Sequence, residues 1–415
     1  MKNHCLLIEE LKKIDRLILA SVRSWFSFPK SLSNNIFYTP TSLGGLGLRN
    51  LHRDYVALRL ATALNVVNSR DERIQKIARK ALVEIVDKRS KSTLSPIDYL
   101  HLDKELIVTK DIRSLLSSIR LNRKSLLIDL EQVETDDPAS IDLDLESLMI
   151  PPNLQLFRRQ HASRIKRLRW HVQKSFLNKW KAQLDQGRTI ECFSHLREAN
   201  SWLRTGQIDI RTYRFAVMGR ANTLPTKYTL KKRQLTTSTK CRRCPCDVET
   251  IGHVLNGCKH GCALIQLRHN DVVKMISEAV KPKKDWTLRL DQTVPDTQSN
   301  RRPDIVLLNL KEKKAVIADI TICYEANIDR MDQVREHKIM KYETEANILR
   351  DQGFEVHCTA LVYGSLGSHH PLNIPQHPTL QLNLWKAKRK TFLKNLTKTI
   401  LESSYKIWKN HVHHT

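Results

Sequence analysis

Cysteine and histidine gather in one short stretch of this 415-residue chain: Cys241-Arg242-Arg243-Cys244, then His253, then Cys258, spaced C-x2-C-x8-H-x4-C. Two thiolates from one turn can reach the same ion, and an imidazole and a third thiolate from the following turns complete a tetrahedron. That is the donor set of structural zinc. Four protein ligands leave no open position, so the ion would hold structure and do no catalysis. Cys246, His260 and Cys262 are spare donors nearby. The alternative, cysteines buried as small apolar side chains, fits poorly in a polar and basic segment that would bury little without an ion.

A second constellation is acidic. Arg301-Arg302-Pro303-Asp304 leads into Ile305-Val306-Leu307-Leu308, apolar on both faces and hence a buried strand. Lys311-Glu312-Lys313-Lys314 makes a charged turn, and Ala315 to Ile322 is a second strand, apolar except at Asp319 and Thr321. A charge within such a strand is costly unless something binds it. A hairpin closing at Lys311-Glu312 or at Glu312-Lys313 places Asp304 and Asp319 on one face, directly opposite or one step diagonal, about 5 to 8 Å apart. Two carboxylates at that range repel unless a cation sits between them, and oxygen donors suit magnesium or manganese. The spacing predicts a helix over 327–350, on which Lys338 and Lys341 share the stripe of Met331 and Val334 and can face the sheet. A divalent ion on two aspartates beside a lysine can orient and deprotonate water and neutralise charge on a pentavalent phosphate. The structural alternative is an Asp319–Lys338 ion pair across a sheet–helix joint, with no chemistry.

Several elements must position these groups. A helix over 263–280, a short strand over 286–290, the hairpin, the helix over 327–350 and a strand over 356–363 give an α-β-β-β-α-β order. Upstream the chain reads as helical. Leu7, Leu11, Ile14, Ile18, Val22 and Trp25 recur at helical spacing, and Gly44-Gly45-Leu46-Gly47 is a tight turn with no preceding strand and no Gly-Lys-Ser/Thr ending, so no phosphate loop. Residues 131–146 are acidic and contain Pro138, which suggests a solvated connector. Beyond it Arg158, Arg159, Arg164, Lys166, Arg167 and Arg169 begin a basic helix carrying Trp170, Phe176 and Trp180, suited to phosphate contact. Another basic amphipathic helix opens at Trp385 and reaches toward Trp408.

Composition narrows the partner. Lysine plus arginine outnumber aspartate plus glutamate 70 to 43, a formal charge of +27, while 40% hydrophobic residues suffice for real cores. Such an excess raises self-repulsion unless an anionic partner absorbs it, and nucleic acid fits better than lipid. No uncharged apolar run approaches the roughly 18 residues of a membrane span, and the opening residues hold no secretory leader, so a membrane role is not expected. Nine cysteines, four scattered and five clustered, suggest a reducing compartment and a metal site rather than disulfides.

The ordered set Cys241, Cys244, His253, Cys258, then Arg268-His269-Asn270, Arg302-Pro303-Asp304, Asp319 and Lys338-x2-Lys341-Tyr342 resembles the C-terminal part of polyproteins from site-specific non-LTR retrotransposons. Trp25-Phe26-x-Phe28-Pro29 with Gly44-Gly45-Leu46-Gly47 is similar to the thumb that follows a reverse transcriptase palm, and Asn222-Thr223-Leu224-Pro225-Thr226 resembles the linker before the knuckle. The resemblance spans nearly the whole chain. It implies a multidomain fold: a helical thumb-like domain (1–130), an acidic connector (131–155), a basic helical linker (156–240), a CCHC zinc knuckle (241–262), an α/β restriction-endonuclease-like domain with a mixed central sheet (263–368) and a basic C-terminal helix (369–415).

By the same resemblance Asp304 and Asp319 hold catalytic magnesium or manganese and either Lys338 or Lys341 is the catalytic lysine. Arg242, Arg243, Arg268, His269, Arg301 and Arg302 join the basic helix in contacting nucleic acid. The implied activity is nicking of double-stranded genomic DNA in the nucleus to prime reverse transcription, with element RNA as a second partner. The family often carries an acid where this chain has Asn270. Glu325 could serve a second metal or face solvent. No Tyr/Phe-x-Asp-Asp turn occurs in strand context, so no polymerase activity is expected from this chain alone. A catalytically inactive, zinc-containing nucleic-acid-binding remnant is the alternative.

Overall fold

The β-branched runs of the second half form a four-stranded mixed sheet in the order β1-β2-β3-β4, with β1 (Thr287–Leu290), β2 (Ile305–Asn309), β3 (Lys314–Cys323) and β4 (Glu355–Gly364). The first three strands pair antiparallel and β4 runs parallel to β3. Asn309 ends β2 by accepting the Lys311 and Glu312 amides on its side chain at 3.1 and 3.0 Å. That turn sets the register in which Ile305 faces Ala318.

The computed structural model describes residues 8–67, 69, 71–88, 115–116, 154–382, 384 and 386–413. The acidic connector up to residue 153 lies outside the described residues, as do the side chains of Arg158, Arg159, Arg164 and Arg167. Longer helices are α1 (Ile8–Trp25), α2 (Leu51–Val67), α3 (Glu72–Asp87), α4 (Leu154–Lys181), α5 (Ile210–Arg220), α6 (Cys262–Ala279), α7 (Ile328–Lys341), α8 (Glu343–Asp351) and α9 (Lys386–His413). The molecule is thus mostly helical with one small mixed sheet. No helix among the described residues is long and apolar enough to cross a membrane.

The chain forms two compact units, residues 1–22 with 48–176 and residues 23–47 with 177–415. Within the first, Leu11, Tyr55, Leu58, Leu82, Leu168 and Val172 are buried. The apolar stripe expected of α1 is only partly used, because Ile14 and Ile18 are exposed while Asp15 is buried. The Asp15 carboxylate accepts the Leu51 and His52 amides at 2.8 and 3.0 Å. It thereby satisfies amides at the start of α2 that have no partner inside that helix.

In the second unit both faces of the sheet are covered, which is why its strands read as continuous apolar runs. Val272 and Ile276 of α6 and Leu396 and Ile400 of α9 pack with Ile305, Leu307, Val316 and Ile320 on one face. Tyr342, Ala346 and Leu349 cover Val306, Leu308 and Ile317 on the other. The single helix expected over 327–350 is two helices, broken at Tyr342 (φ −109°, ψ 11°). The break follows from the burial of that tyrosine, whose hydroxyl is drawn down to the sheet. The glycine-rich stretch at 44–47 is a tight turn with Gly44 at φ 93°, a conformation that costs glycine little.

Candidate functional site

The antiparallel register Ile305↔Ala318, carried one residue further, sets Asp304 opposite Asp319 at the end of the β2–β3 ladder. Both share the parity of the face that α7 and α8 cover. Asp319 is buried, its Oδ1 accepts the Tyr342 hydroxyl at 2.8 Å, and Lys338 Nζ lies 2.7 Å from Oδ2 as an ion pair. Beyond this ion pair the buried Oδ2 takes no hydrogen bond among the described residues.

Asp304 Oδ2 accepts the Ile320 amide at 2.5 Å, and His269 Nε2 stands 3.9 Å from the same oxygen while lying 2.9 Å from the Ile320 carbonyl. Burial, then the neighbouring Asp319 carboxylate, pushes Asp304 up to about 6. The Ile320 amide, His269 and Lys338 oppose that rise. A carboxylate held above its ordinary range by burial and, after it, by a second carboxylate is in a state that a divalent cation can relieve.

Lys341 donates to the Tyr342 hydroxyl oxygen at 2.8 Å, so it reaches Asp319 only through that hydroxyl, which also lies 3.0 Å from the Arg302 carbonyl. Of the two lysines, Lys338 touches the acid directly and Lys341 acts at one remove. Burial, and after it Asp319, raises the Tyr342 pKa and keeps the phenol protonated. The hydroxyl is thus a fixed donor for the carboxylate. Neither Tyr342 nor the buried Glu345 stood among the expected site residues. Glu345 accepts Ser299 Oγ at 2.6 Å and lies 3.6 Å from Arg301, fastening the segment just before Asp304. Nothing local in sequence marks Glu345, because its partner is more than forty residues away.

The cysteine and histidine cluster converges as spaced. Ligand atoms of Cys241, Cys244, His253 and Cys258 all lie within 4.8 Å of one another. The Cys241 and Cys258 sulfurs are 4.0 Å apart and Cys244 Sγ is 3.3 Å from His253 Nε2. Edges near these values are those of a tetrahedron with metal–sulfur bonds of about 2.3 Å. The group can therefore hold a metal ion and is compatible with structural zinc. Cys246 and Cys262 stand outside it, bonding the Val248 and Cys258 carbonyls.

A second set, Cys241 with Glu249 and His411, also lies within 4.8 Å. Glu249, however, is buried and already accepts Arg242 Nη2 and the Lys227 amide on Oε1, both at 2.8 Å, and the Arg242 amide on Oε2, with His411 Nε2 3.0 Å from Oε2. Burial pushes this carboxyl up, and the hydrogen bonds from His411 and Arg242 override it and hold it well below the carboxylate range. Its capacity is used, which leaves three thiolates and His253 as the better donor set.

The expected phosphate contacts divide. Arg242 is committed to Glu249, and Arg243 Nε donates to the His411 carbonyl at 2.9 Å. Arg268 is 1% exposed and holds Ser404 and Asn256 at 2.9 and 2.7 Å, so its guanidinium ties helices together instead of meeting a phosphate. Arg169 pairs with Asp54 at 3.6 Å, a counter-charge the basic helix was not expected to have. Lys166, Arg301 and Arg302 are exposed. Asn270 is exposed too and takes a hydrogen bond from Gln266 at 2.9 Å.

Glu325 differs from both expectations. It is fully buried, bonding the Leu366 and Ser368 amides at 2.8 and 3.4 Å and Ser365 Oγ at 3.2 Å. It ties down the turn after β4, where a Cβ on Gly364 would come within 2.4 Å of its carboxylate.

No known protein family and no curated protein matches the chain.

Proposed function

We propose that the chain is a divalent-metal-dependent DNA endonuclease of restriction-enzyme-like type, with a zinc knuckle as a structural module. The observation that carries this reading is the meeting of Asp304 and Asp319 at one strand register with the Lys338 ammonium 2.7 Å from Asp319. Asp304 and Asp319 would hold magnesium or manganese, and the raised pKa of Asp304 fits a hard cation there. Once bound, such an ion supplies Lewis-acid stabilisation of phosphate charge and a more acidic water. Lys338 supplies positive charge beside the scissile phosphate, and Tyr342 fixes the Asp319 carboxylate. Arg302, exposed just before Asp304, suits contact with the DNA backbone.

The order of motifs along the chain further supports placing it in the C-terminal region of a non-LTR retrotransposon polyprotein. It would nick target DNA in the nucleus to prime reverse transcription by a palm carried elsewhere, with element RNA as a second partner. A supercoiled plasmid incubated with magnesium tests the reading. Wild type should produce open circles, and Asp304→Ala and Asp319→Ala should each lose at least a hundredfold in rate. Equal nicking by all three would assign the cleavage to a contaminant.

Two observations favour the second reading, an inactive nucleic-acid-binding remnant. Lys338 already balances Asp319, and an amide at position 270 stands where the family often has an acid. No nicking by the wild type with either magnesium or manganese, together with intact DNA binding, would select it.

A further inference from the structure

A cleft of about 540 Å³ opens between α5 and α9, well apart in sequence from the acidic pair and from the basic helix. Its floor is aromatic. The Phe215 ring lies 5.7 Å from Tyr405 and 6.3 Å from Trp408, centroid to centroid. Phe215 and Trp408 are buried, while Tyr405 is half-buried and lines the cleft. The rim is cationic. Arg211 and Arg214 sit three apart on α5, Lys409 follows Trp408 on α9, and all three are exposed. Among the described residues, no acidic side chain lines the cleft. None of the three cations pairs with a carboxylate among the described residues.

An apolar peptide would use the floor and leave three like charges unanswered. A duplex would meet the charges and leave the floor bare, since its bases are stacked inside. An unpaired strand uses both, through base stacking on an aromatic ring and phosphates on the rim.

We propose that this cleft takes an unstacked base of a single-stranded nucleic acid, the base lying on Tyr405 and its flanking phosphates meeting Arg211, Arg214 and Lys409. The site goes beyond the nuclease reading and does not need it, since a chain that never nicks DNA can still stack a base here.

The test uses the full zinc-loaded chain in magnesium-free buffer with fluorescein-labelled oligo(dT), oligo(rU) and a duplex. Both single strands should bind. Tyr405→Ala should weaken them about tenfold, the loss expected of one stacked base, and leave the duplex unchanged. Tyr405→Phe should bind as wild type. The pair Arg211→Gln and Lys409→Gln should lower the slope of log affinity against log salt by about 1.4. A preference for rU or for dT tells whether RNA or DNA is the natural strand. Photocross-linking with 4-thiouracil in the strand should label Tyr405 or Trp408, and it decides the matter if Tyr405→Ala does not fold. A folded Tyr405→Ala with unchanged single-strand affinity, an equal loss for duplex, or cross-links confined to other segments would overturn the site.

Discussion

At the scale of single residues, Asp304 is the most exposed to test. Its pKa rises from an ordinary 3.8 to about 6, chiefly through burial and then through Asp319. Between those two values the folded chain holds a proton that the unfolded chain has released. The resulting stability is present in full below 3.8 and is lost as pH rises through about 6. The gap corresponds to about 3 kcal/mol. Asp304→Asn should therefore raise the thermal midpoint in magnesium-free buffer at neutral pH by several degrees, and much less near pH 4; a lower midpoint at neutral pH would contradict the electrostatic description.

Tyr342→Phe removes the donor to Asp319 Oδ1, and leaving that buried oxygen unpaired should cost about 1–3 kcal/mol in urea unfolding. Nicking should fall as well, because the carboxylate loses its orientation. Residue type and spacing marked Asp304, Asp319 and the four zinc-type ligands, since each is tied to its partners by local sequence or by one hairpin. Glu249 and His411 carry no such mark. His411 meets Cys241 only after the chain has run through the whole sheet and returned along α9.

At the scale of elements, the strands were legible almost to the residue because a sheet covered on both faces demands unbroken apolar runs between charged turns. The helix break at Tyr342 was not. Helical periodicity continues across it, and the break coincides with distant contacts, the Tyr342 hydroxyl on Asp319 and the Arg301 guanidinium on the Lys341 carbonyl. Glu325 was misplaced for a related reason. Its strand parity with Asp319 suggested a solvent or metal face, yet the turn after β4 folds over it and presents two backbone amides. Those amides would lose their acceptor in Glu325→Ala, which should destabilise by about 3 kcal/mol or more. Glu325→Gln keeps a carbonyl acceptor and should recover at least half of that loss. Identical stabilities for the two variants in chemical denaturation would mean that the carboxylate does not hold the turn.

At the scale of the whole molecule, the charge of +27 points to a polyanion, and the structure distributes that charge unevenly in use. Arg242, Arg268 and the buried Arg220 serve the interior, Arg220 with hydrogen bonds to Leu366, Asn200 and Ala199. Composition counts such arginines as surface charge, and only packing tells which of them remain to meet a phosphate. The basic C-terminal helix, expected to be amphipathic, places Leu396 and Ile400 in the core of the sheet.

The proposed nuclease chemistry requires one hard divalent cation on Asp304 and Asp319, apart from any ion held by the thiolates. Manganese binding to the zinc-loaded chain, followed by electron paramagnetic resonance at neutral pH, measures it most directly. Wild type should take up one tightly held Mn²⁺ per chain, and Asp304→Asn should hold at least tenfold less under the same conditions while keeping its zinc. Equal manganese uptake by the two proteins, or none by either, would contradict the claim.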